Sequence, residues 1–107
     1  VDNKITIEEI KKWVKDFCEA RDWDEYHAAK DLAIGLVTES SELLEIFRFV
    51  SEAKTEGVLQ EKREAIADEL ADSLFFILRF AGRYGFDLSE SLERKLEKNV
   101  KRYPPKR

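Results

Sequence analysis

The sequence predicts an all-α fold in a single domain spanning residues 1–107, and three observations predict it. A chain of 107 residues has room for one compact unit. Its 4 glycines and 2 prolines are too few for a β-sandwich or barrel, which needs a turn about every ten residues. Apolar residues also recur at helical spacing over long stretches.

The first helix is predicted to start near Ile7. Thr6-Ile7-Glu8-Glu9 reads as a capping box, in which the Thr6 hydroxyl accepts a backbone N–H and Glu9 reaches back. Ile7, Ile10, Val14, Phe17 and Cys18 then form one apolar stripe, which makes Cys18 an inert core thiol. Arg21 to His27 breaks the period and reads as a connection rich in large side chains. A second helix is predicted from about Ala28 to about Val50, and a third from about Leu59 to about Tyr84, joined by a connection over Ser51–Val58 that contains Gly57. Gly85 suits a left-handed cap. Asp87-Leu88-Ser89-Glu90 is a second capping box, opening a fourth helix that runs to about Arg102 and stops at Tyr103-Pro104-Pro105.

Composition removes several classes. Hydrophobic residues make up 43% and charged residues 39%, too apolar for a disordered chain. No uncharged stretch approaches the roughly 18 residues needed to span a bilayer. One cysteine cannot form an intramolecular disulfide, so a secreted disulfide scaffold is excluded and a reducing, cytoplasmic setting is expected. The net charge of −4 is unevenly spread: residues 1–38 carry −3, residues 39–72 carry −6 and residues 73–107 carry +5. Basic residues this few and this local on an acidic chain argue against nucleic-acid binding.

The acidic middle segment becomes informative when its helices are drawn as wheels. With Leu32 at zero, Leu43, Leu36 and Val50 lie within about 40°, and Glu39 falls among them at about 340°. An unpaired carboxylate in an apolar arc is expensive. Glu42, three residues on, sits at the arc's edge. In the third helix, with the arc centred on Leu70, Glu69 falls between Phe76 and Phe80, and Asp72 lies on the margin beside Arg79. Each helix therefore offers one inward acid with a second acid one turn along.

Inward carboxylates on adjacent helices repel one another unless protons or cations neutralise them. A divalent cation is the economical solution. With a single histidine and no cysteine cluster, hard oxygen ligands favour Mg²⁺ or Mn²⁺ over zinc. A di-iron bundle would need Glu-x-x-His from two helices, which one histidine cannot supply. Such a carboxylate–metal cluster suits hydrolysis of phosphate esters or anhydrides, with Lys95, Lys98, Lys101 and Arg102 available to offset phosphate charge. The competing reading is a catalytically silent helical oligomerisation module, which would bind neither Mg²⁺ nor nucleotide.

Glu39-Ser40-Ser41-Glu42, followed after 26 residues by Glu69-Leu70-Ala71-Asp72, resembles the Glu-x-x-Glu and Glu-x-x-Asp signature of the MazG-like all-α nucleoside triphosphate pyrophosphohydrolases. The likeness covers nearly the whole chain and is greatest to the dCTP pyrophosphatase branch. Supporting segments are Arg21-Asp22-Trp23 with Tyr26-His27, Glu42 through Phe47, and Lys95 through Pro104. The resemblance implies a four-helix bundle assembled as a homodimer or a dimer of dimers, with active sites shared between subunits. It implies Mg²⁺-dependent hydrolysis of a nucleoside triphosphate to a monophosphate and pyrophosphate, with dCTP or a modified dCTP as first substrate and nucleotide-pool house-cleaning as its role.

Carried over by position, Glu39, Glu42, Glu69 and Asp72 would ligate the metal, with Glu42 or Glu39 assisting water activation. Trp23 and His27 would contact the nucleotide, and Lys95 and Asn99 would lie near its phosphates or sugar. The chain departs from that branch at two substrate-binding positions: Phe49 replaces a tryptophan and Phe76 a tyrosine, which leaves stacking and removes polar base contacts. Val14 stands where the branch has a histidine.

Overall fold

The computed structural model describes residues 1–106, and every regular element among them is helical. Helix α1 spans Ile7–Glu19, α2 Ala29–Phe47, α3 Thr55–Glu61, α4 Arg63–Tyr84 and α5 Leu88–Arg102. Two single 3-10 turns, Asp24–Tyr26 and Glu52–Lys54, lie in the connections.

Both expected N-caps form, by the side-chain half of each box. The Glu9 N–H donates to Thr6 Oγ1 at 3.1 Å and the Glu90 N–H to Asp87 Oδ1 at 2.8 Å, which satisfies donors that a helix start leaves unpaired. Gly85 ends α4 in the left-handed region at φ 73°. Its N–H and that of Phe86 both turn back to the Ala81 carbonyl.

Two boundaries and the helix count differ from the sequence expectation. α2 stops at Phe47 rather than Val50, because Arg48 is extended and Phe49 takes φ 65°. The supposed connection over Ser51–Val58 is itself largely helical: the Lys54 N–H and the Thr55 hydroxyl both donate to the Ser51 carbonyl. Gly57 therefore lies inside α3, which breaks from α4 at Lys62 (φ −109°, ψ 27°). Five α-helices stand where four are expected.

Nor do the long helices close into a four-helix bundle within one chain. α4 is central, with α2 packed along one side, α1 along the other and α3 bracing its start. Arg79 is buried between elements, whereas Leu70, Leu74 and Ile77, the expected centre of the apolar arc on this helix, are exposed. α4 is apolar around most of its circumference, and among the described residues α2, α1 and α3 supply most of its cover. α5 touches the other helices slightly and leaves Leu92, Leu96 and Val100 more than half exposed.

The radius of gyration reflects this, at 16.7 Å against about 13 Å for a compact chain of this length. Among the described residues the buried apolar core is Cys18, Leu32, Ile66, Leu78 and Ala81. No helix among the described residues is long and apolar enough to cross a membrane.

Candidate metal centre and adjoining cavity

The packing of α2 on α4 brings Glu39, Glu42, Glu69 and Asp72 together, with one carboxylate oxygen from each lying within 4.8 Å of the others. Glu39 and Glu69 are half-buried, while Glu42 and Asp72 are exposed. That division follows from helix geometry, since the first acid of each pair points into the helix interface and the second, three residues on, stands at its margin.

Nothing among the described residues neutralises the group. None of the ion pairs among the described residues reaches it. The neighbouring Ser40 and Ser41 hydroxyls donate backwards to the Val37 and Thr38 carbonyls, at 3.2 and 2.6 Å. Glu69 Oε2 is fully buried with no hydrogen-bond partner, a state that is costly for a carboxylate oxygen. Burial, then hydrogen bonding with Glu42 and the charges of Glu42, Asp72 and Glu39, push Glu69 above the usual carboxylate range. Glu39 is raised as well, by burial and then by the charges of Glu42 and Asp72. An orphaned oxygen within four convergent carboxylates fits a hard divalent cation, and the absence of sulfur or imidazole from the cluster fits Mg²⁺ or Mn²⁺.

A cavity of about 440 Å³ adjoins the cluster, lined by Trp13, Val14 and Phe17 of α1, Glu39 of α2, and Asp72, Phe75 and Phe76 of α4. Its polar groups are the two carboxylates it shares with the cluster and the indole N–H of Trp13. This is the size and character of a site for a flat organic group. Of the expected substrate contacts, Phe76 lines this cavity. Trp23 stands one ring behind it and His27 two: Trp23 packs edge-on against Phe17, with centroids 5.5 Å apart, and His27 packs against Trp23 at 5.8 Å.

Phe49 lies elsewhere, at the α2 C-terminus, 92% exposed and with the Arg48 guanidinium 4.8 Å from its ring centroid. Lys95 and Asn99 are on α5, whereas the cluster is built from α2 and α4 alone. Cys18 is fully buried as expected, and burial pushes its thiol pKa up.

Sequence reasoning missed the group that holds the connection between α1 and α2. Arg79, expected on a polar margin beside Asp72, is only 4% exposed, because the connection folds over it. Its Nε–H donates to His27 Nδ1 at 3.0 Å and its terminal N–H to Asp24 Oδ1. Arg83 adds a longer contact to the same Asp24 oxygen at 3.4 Å. The available signal was an arginine interrupting the apolar run Leu74 to Ala81, paired with an acid-rich connection.

The sequence profile of the MazG-like family matches residues 34–107. The rat (Rattus norvegicus) dCTP pyrophosphatase 1 is 33% identical over 101 residues, covering 92% of this chain and 59% of that protein. The human (Homo sapiens) dCTP pyrophosphatase 1 is 32% identical with the same coverage. The chain thus spans about three-fifths of the length of these relatives. The uncharacterised protein YvdC of Bacillus subtilis is 31% identical, over 92% of this chain and 97% of its own. Among solved structures, a pyrophosphatase from Archaeoglobus fulgidus superposes with a TM-score of 0.88 at 33% identity, covering 92% of this chain and 93% of that one.

Proposed function

The chain belongs to the MazG-like family, and from that premise we propose that it is a divalent-cation-dependent nucleoside triphosphate pyrophosphohydrolase. It cleaves a deoxynucleoside triphosphate between the α- and β-phosphates, giving the monophosphate and pyrophosphate. The observation that carries this reading is the four-carboxylate cluster, with its orphaned Glu69 oxygen, opening beside an aromatic cavity.

Glu39, Glu42, Glu69 and Asp72 hold Mg²⁺, or Mn²⁺ in its place. When bound, such a cation supplies positive charge for the phosphate oxygens and makes water acidic enough to attack phosphorus. A carboxylate oxygen of Glu42 or Glu39 takes up the proton that the attacking water loses. The cavity receives the base, stacking it on Phe76 and excluding water with Trp13 and Phe17. Trp23 and His27 support that wall from behind. dCTP, or a modified dCTP, is the first substrate to test, supported by the names of the mammalian relatives; removal of unwanted nucleotides in the cytoplasm is the role this suits.

The working unit is a homodimer or a dimer of dimers. The accessible surface of 8908 Å² for a 12.5 kDa chain compares with about 6,200 Å² for a compact monomer of that mass. The excess is of the size that an obligate interface covers. Exposed apolar strips on α2 (Val37, Leu44) and α4 (Leu70, Leu74) and the unpacked face of α5 offer the contact. On the α5 wheel, with Leu88 at zero, Lys95 and Asn99 fall at about 340° and 20°, beside Leu92 at about 40°. Association through that face gathers Lys95 and Asn99 into the interface, where they meet the phosphates or sugar, and brings the exposed Phe49 ring under cover.

The test is a panel of canonical, methylated and oxidised deoxynucleoside triphosphates incubated with Mg²⁺, with monophosphate and pyrophosphate both quantified. Release of the two in equal amounts, abolished in Glu69→Ala, is the expected result. No release above that of Glu69→Ala with any nucleotide overturns the proposal.

A further inference from the structure

The ring of Phe76 lies directly on the backbone of α2 at Gly35. A Cβ added to Gly35 would stand 2.7 Å from Phe76 Cζ and 2.8 Å from Cδ1, and nearer still to Cε1. Real carbon atoms do not approach so closely, and the obstacle is the body of an aromatic ring whose rotamers are limited on a helix. A glycine inside a helix costs stability relative to alanine. At this position the missing Cβ has a specific use, because it opens a notch in α2 that the ring occupies.

The position of that ring matters because Phe76 is the partition between two cavities. On one side is the cavity beside Glu39 and Asp72. On the other is an apolar cavity of about 380 Å³, formed by Leu32, Ala33 and Leu36 of α2, Ile77, Phe80 and Ala81 of α4, and the start of α5. Removing the notch forces the ring into one cavity or the other. In the first case it fills the space beside the acids. In the second it withdraws from that space and takes the stacking surface with it.

We infer that Gly35 is a specificity-determining residue of the nucleotide site: by seating Phe76 in α2 it sets the size of the base cavity and leaves it able to accept one-ring and two-ring bases. The inference rests on the proposed reading of the cavity as the base site. Its chemistry follows from the lining. Apart from the two carboxylates and the single Trp13 indole N–H, no side chain that lines it can hydrogen-bond, so the cavity weighs bases mainly by shape and stacking. An apolar pocket of this kind separates related ligands by about 10- to 200-fold, whereas a hydrogen-bonding pocket reaches 10⁴ or more. dCTP and dATP are therefore both substrates, with kcat/KM values within about 100-fold of each other.

The experiment compares wild type with Gly35→Ala in two measurements. The first is KM for dCTP, dATP and the base-free 2-deoxyribose 5-triphosphate in Mg²⁺. The second is binding of dCMP and dAMP followed by tryptophan fluorescence, since Trp13 lines the cavity. In Gly35→Ala the dATP-to-dCTP ratio of KM and the dAMP-to-dCMP ratio of Kd should each change at least fivefold, while KM for the base-free triphosphate stays within twofold. Ratios equal to those of wild type overturn the inference.

If wild type hydrolyses nothing, the proposed function fails, and the fluorescence ratios still decide the role of Gly35. Phe76→Leu and the double variant Gly35→Ala/Phe76→Leu cover the case in which Gly35→Ala does not fold. Gly35 acts through the ring, so the two leucine variants should bind dCMP and dAMP alike. A fivefold difference between them overturns the inference.

Discussion

Arg79 and His27 are 52 residues apart in sequence, and the buried guanidinium Nε–H of the first donates to Nδ1 of the second at 3.0 Å. The bond requires Nδ1 to be an acceptor, so neutral His27 carries its proton on Nε2. With its terminal N–H on Asp24, one arginine of α4 fastens both ends of the Asp24–His27 turn, and with it the Trp23–His27 segment that the turn closes. That segment backs the aromatic wall of the cavity, through Trp23 on Phe17.

Arg79→Ala is expected to destabilise the protein by about 3 kcal/mol, the lower end of what removing one partner from a buried charged network costs, since Asp24 is half exposed and regains water. Arg79→Met keeps the packing of the stem and should lose less. Urea denaturation of both variants against wild type measures the effect. Equal loss in the two would assign the role of Arg79 to charge alone, and no loss in either would refute the anchoring role.

The same network predicts a pH dependence. Burial first, then the positive charges of Arg79 and Arg83, lowers the His27 pKa below its ordinary 6.5. The folded protein therefore holds this proton less readily than the unfolded chain does. The stability contribution is complete above pH 6.5, and falls as pH drops from there through the folded-state value. Asp24 is lowered too, by its hydrogen bond with Arg79, so its contribution is lost only in acid below its ordinary 3.8. Glu39 and Glu69, both raised, act with the opposite sign near the carboxylate range. Comparison with His27→Asn, which keeps an acceptor for Arg79 but does not titrate, isolates the histidine. Between pH 7.5 and 5.5 wild type should lose more stability than His27→Asn, and equal losses would count against the assignment.

These features differ in how far the sequence reveals them. The caps at Thr6 and Asp87 are local, so three or four adjacent residues suffice to read them. The four acids were legible for a related reason: a carboxylate such as Glu39, set among Leu32, Leu36 and Leu43 at helical spacing, is anomalous within its own helix. A wheel does not say which neighbour covers a face. Arg79 falls on the polar margin of its helix, and only the folding of the distant Asp24–His27 segment over it makes it buried. Leu70 and Leu74 are the converse, apolar at the centre of their arc yet exposed in a single chain. α3 escaped notice because Gly57 suggested a turn, although no crowding or positive φ requires a glycine there.

Removing charge from the cluster should separate stability from activity. Glu69→Gln relieves repulsion among four carboxylates and leaves the shape of the side chain nearly intact, so without metal the variant should melt at or above the wild-type temperature. Mg²⁺ raises the melting temperature of any protein that binds it only when folded; wild type should show that rise and Glu69→Gln should show little. Pyrophosphate release should fall about 100-fold or more, beyond the roughly 10- to 100-fold felt when a group that only supports a metal's ligands is lost. A marked drop in the metal-free melting temperature would instead make Glu69 a structural residue.

The exposed face of α5 gives the last prediction. Leu92 and Leu96 are 60% and 53% exposed and lie one turn apart, so replacing both with aspartate changes almost no contact within one chain. A folded monomer would tolerate the double change with less than about 0.5 kcal/mol of effect, as ordinary surface positions do. An oligomer closed over that face would not, because each interface would then bury uncompensated charge. Wild type should sediment at twice the chain mass or more, with a melting temperature that rises with protein concentration. Leu92→Asp/Leu96→Asp should sediment as a monomer, melt lower and release little pyrophosphate, because Lys95 and Asn99 are no longer delivered to a neighbouring site. A double variant that keeps wild-type mass and activity would exclude this face from the assembly.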